Sequence, residues 1–204
     1  MGRAVSRDPD RLVLFTDAVV AIAVTLLVLP LVDVVPAAVD AHERSVEVVT
    51  GHLPQIWAFA LSFVVITRLW FVHHRVFEHV GGYTRALMAL NTGWLLAIVI
   101  LPFPTEMVAS YPGDDRFTVM LYIGNVLVAS SCQAALTVLS HRDPDVASAT
   151  DPTTVEAVRS SLSTVVLLVL SLAVVAVLPD VSYYALLLLF LSKPVSRIWP
   201  RVGV

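Results

Sequence analysis

Long apolar runs, separated by short segments rich in charged residues, proline and glycine, make up most of the chain. A helix of about 20 apolar residues crosses the ~30 Å hydrocarbon layer of a bilayer. The pattern therefore predicts an all-α, polytopic transmembrane helical bundle with six spans per chain, over residues 12–31, 53–72, 86–105, 117–139, 155–178 and 181–198. No run suggests a second, soluble domain, so residues 1–204 are expected to form a single transmembrane domain.

The sixth predicted span is the shortest, because only residues 181–191 are strongly apolar before Pro194 interrupts the run. A re-entrant segment is the alternative there. Pro102 and Pro104 are expected to end or kink the third span, since proline lacks a backbone N–H. The mixed charges of residues 34–51 are typical of a flexible connector.

The distribution of positive charge orients the predicted spans. Eleven of the 13 Lys and Arg residues fall on one side, and only Arg44 and Arg116 fall on the other. Positive charge is retained on the cytoplasmic side of a membrane. Since six is an even number of spans, this bias predicts a protein of the cell (plasma) membrane with both termini in the cytoplasm.

Composition narrows the function classes. Hydrophobic residues make up 57% of the chain and charged residues 14%, against about 45–50% and 25% in soluble domains. A net charge of −3 argues against nucleic acid as a partner, and the single Cys132 cannot form an internal disulfide. No phosphate-loop or hydrolase motif is present, so we predict no enzyme. The cluster of His73, His74, Glu78 and His79 carries metal-ligand side chains, but a solvated patch is favoured over a structural metal site.

Asp17 is an acid inside the first predicted span, and a charge within a membrane needs a partner or water. Asp17 lies six residues beyond Arg11, and Asn91 lies six residues beyond Arg85. Both therefore reach about 9 Å into the membrane from the same side, at ~1.5 Å per residue. We predict a polar network of Arg11, Asp17, His73 or His74, Asn91 and Trp94. It either serves function directly or simply fastens the helices together.

A second face of the first helix carries branched aliphatic residues. Ile22, Leu26 and Leu29 follow a spacing of four and three and share one stripe, with Thr25 at its edge. Asp17 lies about 140° around the helix from Ile22, so it faces a different neighbour. By itself such a stripe indicates packing or lipid contact rather than a pore.

Several motifs occur in a specific order in the first half of the chain. Residues 11–17 read R-L-V-L-F-T-D and are followed by A-I-A-V-T-L-L-V-L; later come W-F-V-H-H at 70–74, N-T-G-W-L at 91–95 and L-P-F-P-T at 101–105. This set resembles the TMEM175 family of potassium channels, whose first helix carries R-x-x-x-F-S-D. Thr16 stands where the family has serine, and it keeps the hydroxyl with which it would join the polar network.

The resemblance implies a function for the aliphatic stripe. The first helix would line the pore of a homotetramer in the bilayer, with Ile22 at the narrowest constriction and further layers at Leu26 and Leu29. Selectivity for potassium over sodium would involve Ile22 and Thr25, and the channel would be of the leak type. No cofactor is implied beyond the permeant potassium ion near Ile22 and Thr25. An aliphatic ring cannot replace an ion's hydration shell, so the Thr25 hydroxyls are the obvious source of oxygen ligands.

Two other hypotheses stay open from the sequence alone. In a proton-coupled small-solute membrane transporter, Asp17 or the histidines would titrate during the cycle, and uptake would be saturable and driven by pH. A membrane metal enzyme using His73, His74 and His79 would contain bound iron or zinc.

Overall fold

The computed structural model describes residues 10–82, 84–111, 115–148 and 153–177. These residues form an all-helical structure. Its helices are α1 (Asp10–Leu26), α2 (Leu29–Asp40), α3 (Ser45–Gly51), α4 (Leu53–Glu78), α5 (Arg85–Ile100), α6 (Pro102–Ser110), α7 (Arg116–Arg142) and α8 (Val155–Val177).

Five helical segments of the described residues are long and apolar enough to cross a membrane. They are Asp10–Asp40, Leu53–Glu78, Arg85–Ser110, Arg116–Arg142 and Val155–Val177. The first four each contain a predicted span, and the fifth matches the predicted span 155–178 up to Val177, so the multi-pass architecture agrees with the sequence pattern. The predicted sixth span, 181–198, lies outside the described residues.

The first span is broken rather than continuous. Pro30 has no N–H to donate to the carbonyl oxygen of Leu26, so the regular helical bond is lost there. The backbone tightens before the break, where Leu27 N donates to Val24 O at 3.3 Å and Val28 N donates to Thr25 O at 3.4 Å. The predicted helix 12–31 is therefore two helices, and Leu29 opens the second of them.

The expected connector 34–51 is mostly helical. The helix α2 continues to Asp40, and α3 begins with a capping box in which the backbone N of Arg44 donates to Glu47 Oε2 at 3.1 Å. The Arg44 guanidinium also donates to Glu47, and these bonds lower the pKa of the Glu47 carboxyl. The prediction of a flexible connector was wrong because local capping stabilises helix in a segment whose mixed charges gave no apolar periodicity.

The third span kinks at Leu101, between α5 and α6, as its prolines predict. Helix α6 then continues to Ser110, beyond the predicted end at 105. Pro102 occupies the first turn of α6, where a missing N–H costs little because those N–H groups have no helical partner.

Helix α7 is the central element, because α4, α5, α6 and α8 all pack against it. Helix α1 instead packs on α4 and α5. The main core joins α1, α4, α5 and α7 through fully buried residues such as Ile66, Ile98 and Ile123. Helices α1 and α8 bury comparatively few of their residues, and an outer surface of apolar side chains suits contact with lipid.

The α4–α5 and α7–α8 connections are joined to each other. Gly81 N donates to Val146 O at 2.9 Å, and Ser148 N donates to His79 O at 2.9 Å. A Cβ on Gly82 would lie only 2.9 Å from the Asp145 carbonyl oxygen, so this close approach requires glycine. The two connections therefore lie at the same end of the bundle.

Candidate pore helix and its polar anchor

Helix α1 has one buried face and one exposed face. Thr16, Val20 and Ala23 are buried against the rest of the bundle. Of the stripe predicted from the sequence, Ile22 and Leu26 lie on the exposed side of α1, 61% and 40% exposed, whereas Leu29, 47% exposed, lies beyond the break as the first residue of α2. A single copy of the chain thus leaves this aliphatic stripe uncovered.

Thr25 lies on the exposed side of α1 with its hydroxyl turned to the backbone. Its Oγ1 donates to Ile22 O at 2.8 Å. The donated proton is used inside the helix, while the hydroxyl oxygen keeps acceptor capacity. Thr25 therefore places an oxygen acceptor one turn from Ile22.

A chain of buried hydrogen bonds connects the opposite face of α1 to α5 and α4. Asn91 Nδ2 donates to Thr16 Oγ1 at 3.0 Å, and Asn91 Oδ1 lies 2.7 Å from His73 Nε2. All three residues are at most 1% exposed. Because the amide nitrogen faces Thr16, its oxygen faces His73, so Nε2 of His73 is the donor in this bond.

The imidazole of His73 lies between two aromatic rings. The ring of Trp94 stacks on it at a centroid distance of 4.1 Å, and the ring of Phe77 stacks at 4.4 Å. The indole N–H of Trp94 has no hydrogen-bond partner among the described residues, so Trp94 contacts His73 through the face of its ring. Stacking on both sides fixes the plane of the imidazole and hence its bond to Asn91.

Asp17 has a partner that the sequence analysis missed. Trp70 Nε1 donates to Asp17 Oδ1 at 2.7 Å, which ties α1 to α4. The sequence analysis counted Trp70 only as part of a motif, yet an indole N–H near an intramembrane acid is a suitable donor. Its position three residues before His73, on the same helix, was the available signal.

Arg11 and His74 lie outside this hydrogen-bonded chain. Arg11 is exposed and has no ion-pair partner among the described residues. It lies eleven residues before Ile22, a distance close to three full helical turns. It therefore shares the exposed side of α1 rather than the side of Asp17. His74 packs on Trp70 at 5.7 Å and lies 3.8 Å from Glu78. Within the described residues, no three His, Cys, Asp or Glu side chains converge as metal ligands would.

The residues of this arrangement match the model of a known protein family. Residues 11–102, which contain α1, the anchoring residues of α4 and α5, and the kink, match the family model described as endosomal/lysosomal potassium channel TMEM175. Over these residues, which make up just under half of the chain, the protein is similar to the TMEM175 family. It is a family of ion channels, not of enzymes.

Individual relatives support the same placement. A potassium channel of Streptomyces collinus is 37% identical over 109 residues, which are 53% of this chain and 52% of that protein. The human endosomal/lysosomal proton channel TMEM175 is 34% identical over 65% of this chain and 28% of its own length. The alignments thus span about half of this bacterial relative and less of the human one.

The fold is shared with a solved structure. The crystal structure of a lysosomal potassium-selective channel TMEM175 homolog from Chamaesiphon minutus superimposes with a TM-score of 0.72, covering 92% of this chain and 97% of that chain at 24% identity. At this identity the match establishes the multi-pass helical fold.

Proposed function

We propose that this chain is one subunit of a potassium-selective leak channel, and that α1 lines its pore in a homotetramer. The observation that carries the proposal is the exposed aliphatic stripe of Ile22 and Leu26, on the side of α1 away from its polar anchor, with the exposed Leu29 at the start of α2. One lining helix cannot enclose a pore, so several copies must contribute it. Two bacterial relatives carry the name potassium channel.

The polar anchor would position the pore helix. The bonds from Asp17 to Trp70 and from Thr16 to Asn91 hold α1 against α4 and α5. With its polar face fixed inside the subunit, α1 turns its aliphatic face outward, where the same face of neighbouring copies would meet it. In this proposal the network determines pore geometry without touching the ion.

The chemistry of the constriction favours gating by dewetting over tight ion coordination. Rings of Ile22 and Leu26 offer no oxygen to a dehydrated ion, whereas Thr25 places a hydroxyl oxygen between them. The Leu26 carbonyl oxygen also receives no bond from Pro30 at the break. We therefore expect a preference for potassium over sodium that is weaker than a ring of backbone carbonyls would give.

Recordings from the full-length chain in a planar bilayer test the pore assignment. With potassium and sodium on opposite sides, the reversal potential is expected to shift from zero toward the equilibrium potential of potassium. The current should flow without any added energy source. Ile22→Asn should raise potassium flux about tenfold or reduce the ion preference, because a polar ring stays hydrated. The matched control is Ile100→Asn, which changes another exposed isoleucine, on α5. If both variants behave like the parent chain, Ile22 does not line the pore.

A proton channel is the second candidate, because the human relative and several other animal relatives are named proton channels. A recording with equal potassium on both sides and a pH difference of one unit distinguishes a proton channel from a potassium channel. A proton-selective pore would shift the reversal potential by about 59 mV, the value for a tenfold gradient of a monovalent ion, while a potassium pore would hold it near zero. Saturable, pH-driven uptake that Asp17→Asn abolishes would instead identify a proton-coupled transporter.

We also propose that the channel lies in the cell membrane with both termini in the cytoplasm. The eleven basic residues on one side support this orientation. The joined α4–α5 and α7–α8 connections support it as well, because the charge count assigns both to the cytoplasmic side.

A further inference from the structure

A cleft lies between α4 and α8, away from the exposed face of α1. Both helices pack on α7, but they make little contact with each other. The gap between them holds a cavity of about 80 Å³ whose floor includes Val126, Ser130 and Gln133 of α7. None of the anchoring residues of α1 lines this cavity.

The floor of the cleft carries buried polar atoms without partners. Gln133 is 3% exposed, and within the described part of the chain neither its Nε2 nor its Oε1 has a hydrogen-bond partner. Ser130, 5% exposed, has an unpartnered hydroxyl one turn away. A membrane interior supplies no water to such groups, so leaving them unpaired costs free energy. A bound molecule would remove that cost.

The three hydroxyl groups on the α8 wall already donate hydrogen bonds, two of them to their own helix and that of Ser161 to Thr137 Oγ1 of α7 at 3.3 Å. Thr164 Oγ1 donates to Ser160 O at 3.1 Å, and Ser171 Oγ donates to Leu167 O at 2.9 Å. The unmet hydrogen-bonding capacity of the cleft is thus concentrated at Gln133 and Ser130. It is one small polar spot, sized for a single head group.

The rest of the lining is mainly hydrocarbon. Val65 and Leu69 of α4 and Leu168 of α8 contribute apolar surface. The cleft is open at one side, where Val64 in the α4 wall is 45% exposed. A cavity of this size accepts a head group and the first few methylene groups, while the remaining chain would leave through the opening into lipid.

The chemistry of Gln133 specifies the head group. A primary amide presents a donor beside an acceptor, and a carboxamide or a protonated carboxyl presents the complementary pair. One such head would satisfy both Nε2 and Oε1 of Gln133. Arg68, ten residues from the end of α4, lines the cleft at the level of Gln133, which is nine residues from the end of α7. Its positive charge disfavours ammonium head groups and favours the ionised form of a carboxyl head, so the carboxamide is the head that keeps both donor and acceptor here.

We propose that this cleft binds a single-chain lipid with a carboxamide head, held by Gln133. Native mass spectrometry of the full-length chain in detergent, titrated with oleamide, oleic acid and methyl oleate, tests it. Oleamide is expected to bind most tightly of the three, because its head keeps both the donor and the acceptor that Gln133 requires. Methyl oleate, which lacks the donor, should bind about tenfold more weakly, equivalent to about 1.4 kcal/mol.

Two substitutions locate the site. Gln133→Leu should weaken oleamide binding about tenfold, whereas Gln55→Leu, the matched control beside a different cavity, should leave it unchanged. Thr164→Phe places a ring in the cleft and should abolish binding even if Gln133→Leu does not fold. Equal binding of all three lipids, binding unaffected by either cleft substitution, or no binding at all, as for a cleft that holds only water, would each overturn the proposal.

Discussion

Two buried polar clusters in this protein differ in whether their hydrogen bonds are complete. Around Asn91, both ends of the amide are bonded, to Thr16 and to His73. Around Gln133, both ends of the amide are unpaired among the described residues. Both amides are almost completely buried, so burial alone does not distinguish a structural cluster from a binding site. Completeness of hydrogen bonding does, because a satisfied network fixes geometry while an unsatisfied one offers capacity to a ligand.

The position of each cluster agrees with this difference. The Asn91 cluster joins three helices that contact one another, α1, α4 and α5, and its rings are stacked. The Gln133 cluster lies where two helices fail to meet, so no side chain of the described residues bonds to its amide. Packing completes the hydrogen bonds of the Asn91 amide, although the Trp94 indole N–H beside it stays unpaired among the described residues, and a gap in packing leaves both ends of the Gln133 amide open.

Asn91→Leu should give the largest effect on stability. It leaves the Thr16 hydroxyl and the His73 N–H buried without partners, and each stranded group costs about 1–3 kcal/mol. We expect a loss of about 2–6 kcal/mol for the two groups together, seen as a lower midpoint of thermal unfolding in detergent. Asn125→Leu is the matched control, since Asn125 makes a single recorded bond, to Ala97 O at 2.9 Å. Equal losses in the two variants would remove the special role assigned to Asn91.

Asp17 offers an intermediate effect that separates anchoring from conduction. Asp17→Ala strands the Trp70 indole N–H and should cost about 1–3 kcal/mol, lowering the yield of assembled oligomer in size-exclusion chromatography. Asp17→Asn keeps an acceptor oxygen and should retain most of the assembly. Asp33→Ala, at an exposed acid of α2, is the control. Normal assembly of Asp17→Ala together with altered ion selectivity would mean that Asp17 lines the pore.

Sequence reasoning reached part of the anchor by counting depth. The equal spacing of Asp17 from Arg11 and of Asn91 from Arg85 placed both residues at one depth, and in the structure Asn91 bonds to Thr16, the neighbour of Asp17 in the sequence. It did not choose between His73 and His74, but the periodicity of α4 could have done so. Ser62, Ile66, Leu69 and His73 are spaced by four, three and four residues and share the buried face, whereas His74 does not. Arg11 was placed with Asp17 by depth alone, although the two lie about 120° apart around the helix.

Two other features, the helix break at Pro30 and the cleft, could not be predicted from the pattern of apolar runs. The Pro30 break was not predicted, because hydropathy stays high through residues 27–32 and masks the lost backbone bond. The cleft needed tertiary structure, since only the packing of α4 and α8 on α7 shows that Gln133 lacks a neighbour. Even so, an amide inside an apolar run is as conspicuous as Asp17, and the rule that selected Asp17 would have selected Gln133.

Gln133→Leu should have the smallest effect on stability, and it should therefore contrast most sharply with Asn91→Leu. Replacing an amide side chain by Leu destabilises the Asn91 cluster. At Gln133 the same replacement removes an amide with no recorded partner, so no donor or acceptor is left stranded. In lipid-free detergent we expect an unfolding midpoint equal to or above that of the parent chain, because an apolar side chain replaces an unsatisfied polar one of similar volume. Added oleamide should raise the midpoint of the parent chain, since a ligand that binds only the folded state stabilises it, and should leave Gln133→Leu unchanged. A loss in Gln133→Leu as large as that in Asn91→Leu would mean that Gln133 is structurally bonded, and the two clusters would then be alike.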